Sequence, residues 1–131
     1  LCGLFVIDGD VDLPEHGALQ NFENEVYWIA DNQQKGISPN ERIITMHMAA
    51  RYSRTHYHDA DEDTLKVLQE ELQKYLKDGT IIKEAQLKKW RYSVPLTTYP
   101  RDYMKTTNYP LILAGDSFGG RGRVEGVYMP G

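Results

Sequence analysis

The residue types best suited to chemistry gather near the carboxyl end of the sequence. An apolar run, Leu111-Ile112-Leu113-Ala114, is followed by Gly115-Asp116 and then by the glycine- and arginine-rich stretch "SFGGRGRVEG", residues 117–126. A glycine-rich turn after a strand lets the backbone approach a ligand closely, because no side chain intervenes. If a helix follows, its first amides point at that ligand and favour electron-rich atoms. Asp116, at the end of the run, can accept hydrogen bonds from sugar or polyol hydroxyls. Together these features suit a cofactor with a hydroxylated chain and a carbonyl-bearing ring. A plain tight turn with a solvated aspartate fits the same residues, and local sequence leaves both readings open. A dinucleotide fingerprint fails on spacing, since position 125, after Gly120 and Gly122, is Glu. Gly115-Asp116-Ser117 also matches the nucleophile motif of one class of serine esterase, but no histidine follows His58 to act as its base.

Several strands and a helix must position these residues. "LCGLFVID", "EVYWIAD" (25–31) and "RIITMHMAA" (42–50) have the β-branching or alternation of strands. "TIIKEAQLKKWRYSV" reads as a long strand broken at Pro95, and the run 111–114 as a strand buried on both faces. Residues 9–24, 51–60 and 96–110 read as connecting or irregular segments. The spacing of Leu65, Leu68, Leu72, Tyr75 and Leu76 predicts one amphipathic helix over 61–77. Asp59 or Asp61 is placed to cap it, acidic residues occupy its first turn, and Gly79 suits its left-handed end. Strands with one main helix and no regular alternation predict an α+β fold with a mixed or antiparallel sheet.

Composition narrows the function classes. The chain has 131 residues, a net charge of −4 and no basic stripe, which argues against a nucleic-acid partner. No apolar run reaches the roughly 18 residues of a membrane span. One cysteine, Cys2, cannot form an internal disulfide, so a reducing, cytoplasmic setting is expected. His56 and His58 lack a third partner for a metal, and none is expected. The chain begins inside an apolar run and ends on Pro130-Gly131, so we expect a piece of a longer protein.

"AGDSFGG…RVEGVYMPG" resembles the C-terminal flavin-contacting motif of FAD-dependent amine-oxidase-type oxidoreductases. "YWIADNQQKG", "IITMHMAARYS" and "KKWRYSVP" occur in the order and spacing of the renalase-like branch of that family. The four segments span most of residues 26–131. Two departures stand out: "GGRGRVEG" is longer than the usual turn, and Pro130 stands where Ser is usual.

The resemblance implies a substrate domain over 1–110 and a return segment of the FAD-binding domain over 111–131. It implies FAD as cofactor, contacted by Gly115, Asp116, Arg123, Val124 and Glu125. It further implies a small-molecule substrate, a dihydronicotinamide isomer or an amine, oxidised by hydride transfer with oxygen as acceptor. Trp90 then walls the substrate pocket, where otherwise it would be a core tryptophan. His47 faces opposite to Met46 and Met48, either as a hydrogen-bonded core histidine or as a neutral imidazole orienting the substrate. Asn32 is a turn residue or an amide that reads a substrate carbonyl. No catalytic acid–base residue is expected. The fragment alone is expected to be inactive, to bind FAD weakly and to be prone to self-association through apolar surface. The competing expectation is a non-catalytic binding domain with no redox role.

Overall fold

The computed structural model describes residues 1–93 and 95–119. The chain forms two compact units, Leu1–Trp90 and a second that begins at Arg91. The boundary expected at 110/111 runs within the second unit.

The first unit is built on a five-stranded sheet. Its strands are β1 (Cys2–Asp8), β2 (Ala18–Gln20), β3 (Val26–Asp31), β4 (Arg42–Met48) and β5 (Ile81–Lys88), with helices α1 (Ala50–His56) and α2 (Asp61–Gln73) between β4 and β5. The order is β2-β3-β4-β1-β5, and every neighbouring pair is antiparallel. The fold is therefore α+β with an antiparallel sheet.

Alternation along each strand sorts the side chains onto two faces. Phe5 and Ile7 of β1, Ile44, Met46 and Met48 of β4, and Val26 and Ile29 of β3 turn to one face and pack with Leu68 and Leu72 of α2. Phe5, Ile29, Ile44, Met46, Leu68 and Leu72 are fully buried, and each contributes roughly 1.5–3 kcal/mol by leaving water. Gly3 permits this packing, because a Cβ there would collide with the Phe5 ring and approach Leu68. The register places Cys2, Leu4, Thr45, His47, Trp28 and Ala30 on the opposite face.

One polar group belongs to the buried face. Asp31, at the end of β3, is 0% exposed. Its Oδ1 accepts the backbone N–H groups of Gln33 at 2.8 Å and Gln34 at 3.2 Å, which fixes the turn into β4. Its Oδ2 lies 3.2 Å from Nε of Arg42. That Nε carries a single hydrogen, which is directed to Oε1 of Gln33 at 3.1 Å. The Asp31–Arg42 contact is thus a charge contact, and Oδ2 has no hydrogen bond. Arg42 Nη1 also donates to the Gly9 carbonyl at 2.6 Å and pairs with Asp10. The hydrogen bond that Arg42 donates to the Asp10 carboxylate, aided by the guanidinium charge, holds the Asp10 carboxyl below the usual carboxylate range.

Several boundaries differ from those read in the sequence. Residues 50–56 form α1 rather than a loop. Because α1 buries no residue it shows no apolar period; Tyr52 packs at the edge of the core and against His56 one turn on, with ring centroids 4.3 Å apart, and the Ser53 hydroxyl accepts from the Leu1 amino group at 2.9 Å. The helix α2 stops at Gln73, not 77. Beyond it Tyr75 and Leu76 still pack against the core, and a bridge joins Leu76 to Val11. Neither Asp59 nor Asp61 caps α2. The cap is Ala60 with no side-chain bond, while Asp59 engages His56 and Asp61 pairs with Lys89. The acidic first turn, Asp61-Glu62-Asp63, is as expected, and Gly79 is left-handed at φ 83, but in the turn that leads to β5. Residues 18–20 pair with β3 rather than forming part of a loop. The strand β5 ends at Lys88, opposite Cys2, short of the expected break at Pro95.

In the second unit, β6 (Met104–Lys105) and β7 (Ile112–Leu113) form a two-stranded ribbon, so 96–110 is not wholly irregular. The run 111–114 is not buried on both faces: Ile112 is 61% exposed and Leu113 40%. Burial on both faces needs a covering layer on each, and among the described residues this ribbon has none.

Candidate functional site

Of the expected cofactor contacts, Gly115 and Asp116 are described, and Arg123, Val124 and Glu125 lie outside the described residues. Gly115 and Asp116 follow β7 after one residue, Ala114, in a bend and turn. The turn closes by a Phe118 N–H to Gly115 carbonyl bond of 3.0 Å, and Tyr99 N–H donates to the Ser117 carbonyl at 2.6 Å. Asp116 is exposed. Its Oδ1 accepts only a long bond from the Ser117 hydroxyl at 3.4 Å, so the carboxylate has acceptor capacity to spare.

The glycines separate by cause. Gly9, Gly17, Gly36, Gly79 and Gly119 have positive φ, and Gly3 is crowded by Phe5. Gly115 has neither constraint: its φ is not positive, and a Cβ there would have no atom within 4 Å. Nothing within the described fold requires glycine at this position. Close by in sequence, Ser117 and Phe118 line a shallow concavity of about 300 Å³ together with Thr97, Thr98, Tyr99 and Met104. Its aromatic wall is the edge-to-face pair Tyr99–Phe118, with centroids 5.5 Å apart. That volume is at the small end of ligand clefts.

The expected substrate residues belong to the first unit. His47 is exposed on the sheet face opposite α2, as its alternation with the buried Met46 and Met48 requires. It is therefore not a core histidine. Desolvation, then the positive charge of the Leu1 amino group, lowers its pKa below the ordinary 6.5. Asn32 is half-buried, and its Nδ2 donates to the Thr45 hydroxyl at 2.9 Å. Its backbone carbonyl accepts Ile37 N–H at 2.8 Å and Ser38 N–H at 3.1 Å. Asn32 thus serves its turn, and it shares Thr45 with the face that carries His47. Trp90 lies two residues beyond β5 and is 67% exposed, which excludes a core role.

Trp28 was missed by sequence reading. It sits directly opposite His47 in the β3–β4 register, with ring centroids 5.2 Å apart and planes inclined by 55°. Lys35 holds its ammonium 5.0 Å from the indole centroid. The signal was available, because Trp28 and His47 sit at matched depths in two adjacent strands joined by one turn. Using it required knowing the bulge that shifts the register between Val26 and Trp28.

Among the described residues no group of three or more His, Cys, Asp or Glu is arranged to hold a metal, and no helix is long and apolar enough to cross a membrane. His56 Nδ1 is 2.6 Å from Asp59 Oδ2, and His58 stands edge-on to Tyr57. Cys2 is half-buried, and desolvation raises its thiol pKa. In comparisons with known proteins, the chain matches no family model and no curated protein.

Proposed function

We propose that this chain supplies the substrate-facing sheet and the cofactor-cradling return segment of an FAD-dependent oxidoreductase similar to the renalase-like amine oxidases. The observation that carries this reading is Gly115, a glycine that the described fold leaves unexplained and that close ligand approach explains. The order of the four sequence segments supports it independently.

Gly115 and Asp116 would hold the flavin, Gly115 by leaving its backbone approachable and Asp116 by accepting bonds from the hydroxylated chain. Arg123, Val124 and Glu125 are assigned to the same role by the resemblance. When bound, the flavin supplies hydride acceptance and passes the electrons on to oxygen. His47 is neutral above its lowered pKa, so a ring nitrogen is free to accept a hydrogen bond from a polar substrate group. Asn32 keeps its amide oxygen for such a group while its nitrogen is held by Thr45. Trp90, exposed beyond β5, offers an indole face to a planar substrate. The substrate class is a dihydronicotinamide isomer or an amine, and the cytoplasm is the proposed setting, in keeping with one unpaired cysteine.

The exposed Ile112 and Leu113 favour a second reading, a non-catalytic binding domain whose ribbon docks on a partner or on another copy. The substitution Gly115→Ala separates the two. In the protein expressed from its complete gene, thermal stability should hold, since the added methyl meets nothing among the described residues. FAD affinity should fall at least about tenfold, equivalent to about 1.4 kcal/mol. Unchanged FAD retention overturns the role given to Gly115, and no FAD in either form supports the binding domain.

A further inference from the structure

We propose that Trp28 is the positioning residue of the exposed sheet face: ring contact with its indole fixes the His47 imidazole so that an unpaired ring nitrogen meets the substrate. This deepens the reading above and rests on it. The pairing is built into the backbone, because Trp28 and His47 occupy opposed positions in β3 and β4, and cross-strand partners of this kind share a face at side-chain contact distance. The 5.2 Å centroid separation and 55° inclination lie within the range of attractive aromatic contact.

Among the described residues no hydrogen bond competes for the His47 imidazole. Among the described residues the one histidine ring nitrogen with a hydrogen-bond partner is that of His56, bound to Asp59. On the other flank of His47 is Cys2, its register partner in β1, whose thiol bonds weakly to the Gly3 carbonyl. Lys88 of β5 follows across Cys2, and Lys35 lies over the Trp28 indole. Among the described residues, the titratable groups on this flank are Cys2, Lys88 across it, Lys35 over the Trp28 indole and the Leu1 amino group, whose charge, after desolvation, lowers the His47 pKa; none of these is a carboxylate. A positive or neutral surround and an indole that displaces water both favour the neutral ring.

The test is an NMR titration of the histidine resonances in the 131-residue chain, which needs no flavin and therefore stands or falls separately from the cofactor assignment. In the unaltered chain, indole-to-imidazole proton cross-relaxation should be present and the His47 resonances displaced by the ring current of Trp28. Trp28→Ala should raise the His47 midpoint toward the ordinary histidine value, Trp28→Phe should hold it low, and Trp90→Phe should leave it alone. The proposal is overturned if Trp28→Ala and the unaltered chain titrate together, or if Trp28→Phe behaves as Trp28→Ala. It is equally overturned if the cross-relaxation is missing from the unaltered chain, a measurement that serves even where Trp28→Ala does not fold.

Discussion

Arg42→Met should be the most revealing single substitution for the stability of the first unit. Arg42 is 21% exposed at its side chain, and it faces one carboxylate that is fully buried, Asp31, and one that is 65% exposed, Asp10. The exposed pair matters little, since solvent screens an ion pair at the surface. The buried one decides the outcome. Removing a single partner of a buried pair costs about 3–5 kcal/mol, because the remaining charge is left without compensation. Two backbone N–H groups continue to hold Oδ1 of Asp31, and the lost contact to Oδ2 is not a directed hydrogen bond. The lower end of that range, about 3 kcal/mol, is therefore expected. The double variant Arg42→Met/Asp31→Asn removes the orphaned charge and keeps an acceptor for the turn. It should be more stable than Arg42→Met alone by about 1–3 kcal/mol, the cost otherwise borne by an unsatisfied buried group. Urea denaturation followed by circular dichroism gives all four corners of the cycle. A loss below about 1 kcal/mol in Arg42→Met, or no recovery in the double variant, would refute the assignment of Asp31 as a buried charge that depends on Arg42.

Two further outcomes follow from the exposed sheet face and the return segment. Because the folded pKa of His47 lies below its ordinary 6.5, folding favours the neutral ring. That contribution is fully present above about pH 6.5 and is lost as pH falls through the lower folded value. His47→Gln should remove this portion of the acid-side loss, as read from urea midpoints between pH 7 and pH 5. The 131-residue chain titrated with FAD should give weak or no quenching of flavin fluorescence, since the resemblance assigns much of the cofactor's grip to sequence outside it. Tight binding by the chain alone would contradict that division of labour.

What could be read from sequence was whatever a repeating pattern encodes. The strands β1, β3 and β4 announce themselves through β-branching and alternation, and α2 through Leu65, Leu68 and Leu72. The opposition of His47 to Met46 and Met48 follows from the same period of two, and the register bears it out. Elements without a buried apolar repeat left no pattern. The helix α1 buries nothing, and β2 is three residues whose pairing depends on where β3 lies. The apolar run at 111–114 misled because composition indicates what a segment would bury if a covering layer were present. In the described ribbon of β6 and β7 no such layer exists. For the site, residue types pointed to Gly115, Asp116 and His47, but the Trp28–His47 contact needed a register set by a bulge, and the unexplained freedom of Gly115 needed coordinates.

The central claim, that Gly115-Asp116 belongs to a flavin cradle, is tested most directly by the visible absorption spectrum of the protein produced from the complete gene and purified without added cofactor. Flavin bands in the native protein, released as FAD on denaturation, are the expected result. A folded, colourless protein that releases no flavin would contradict it.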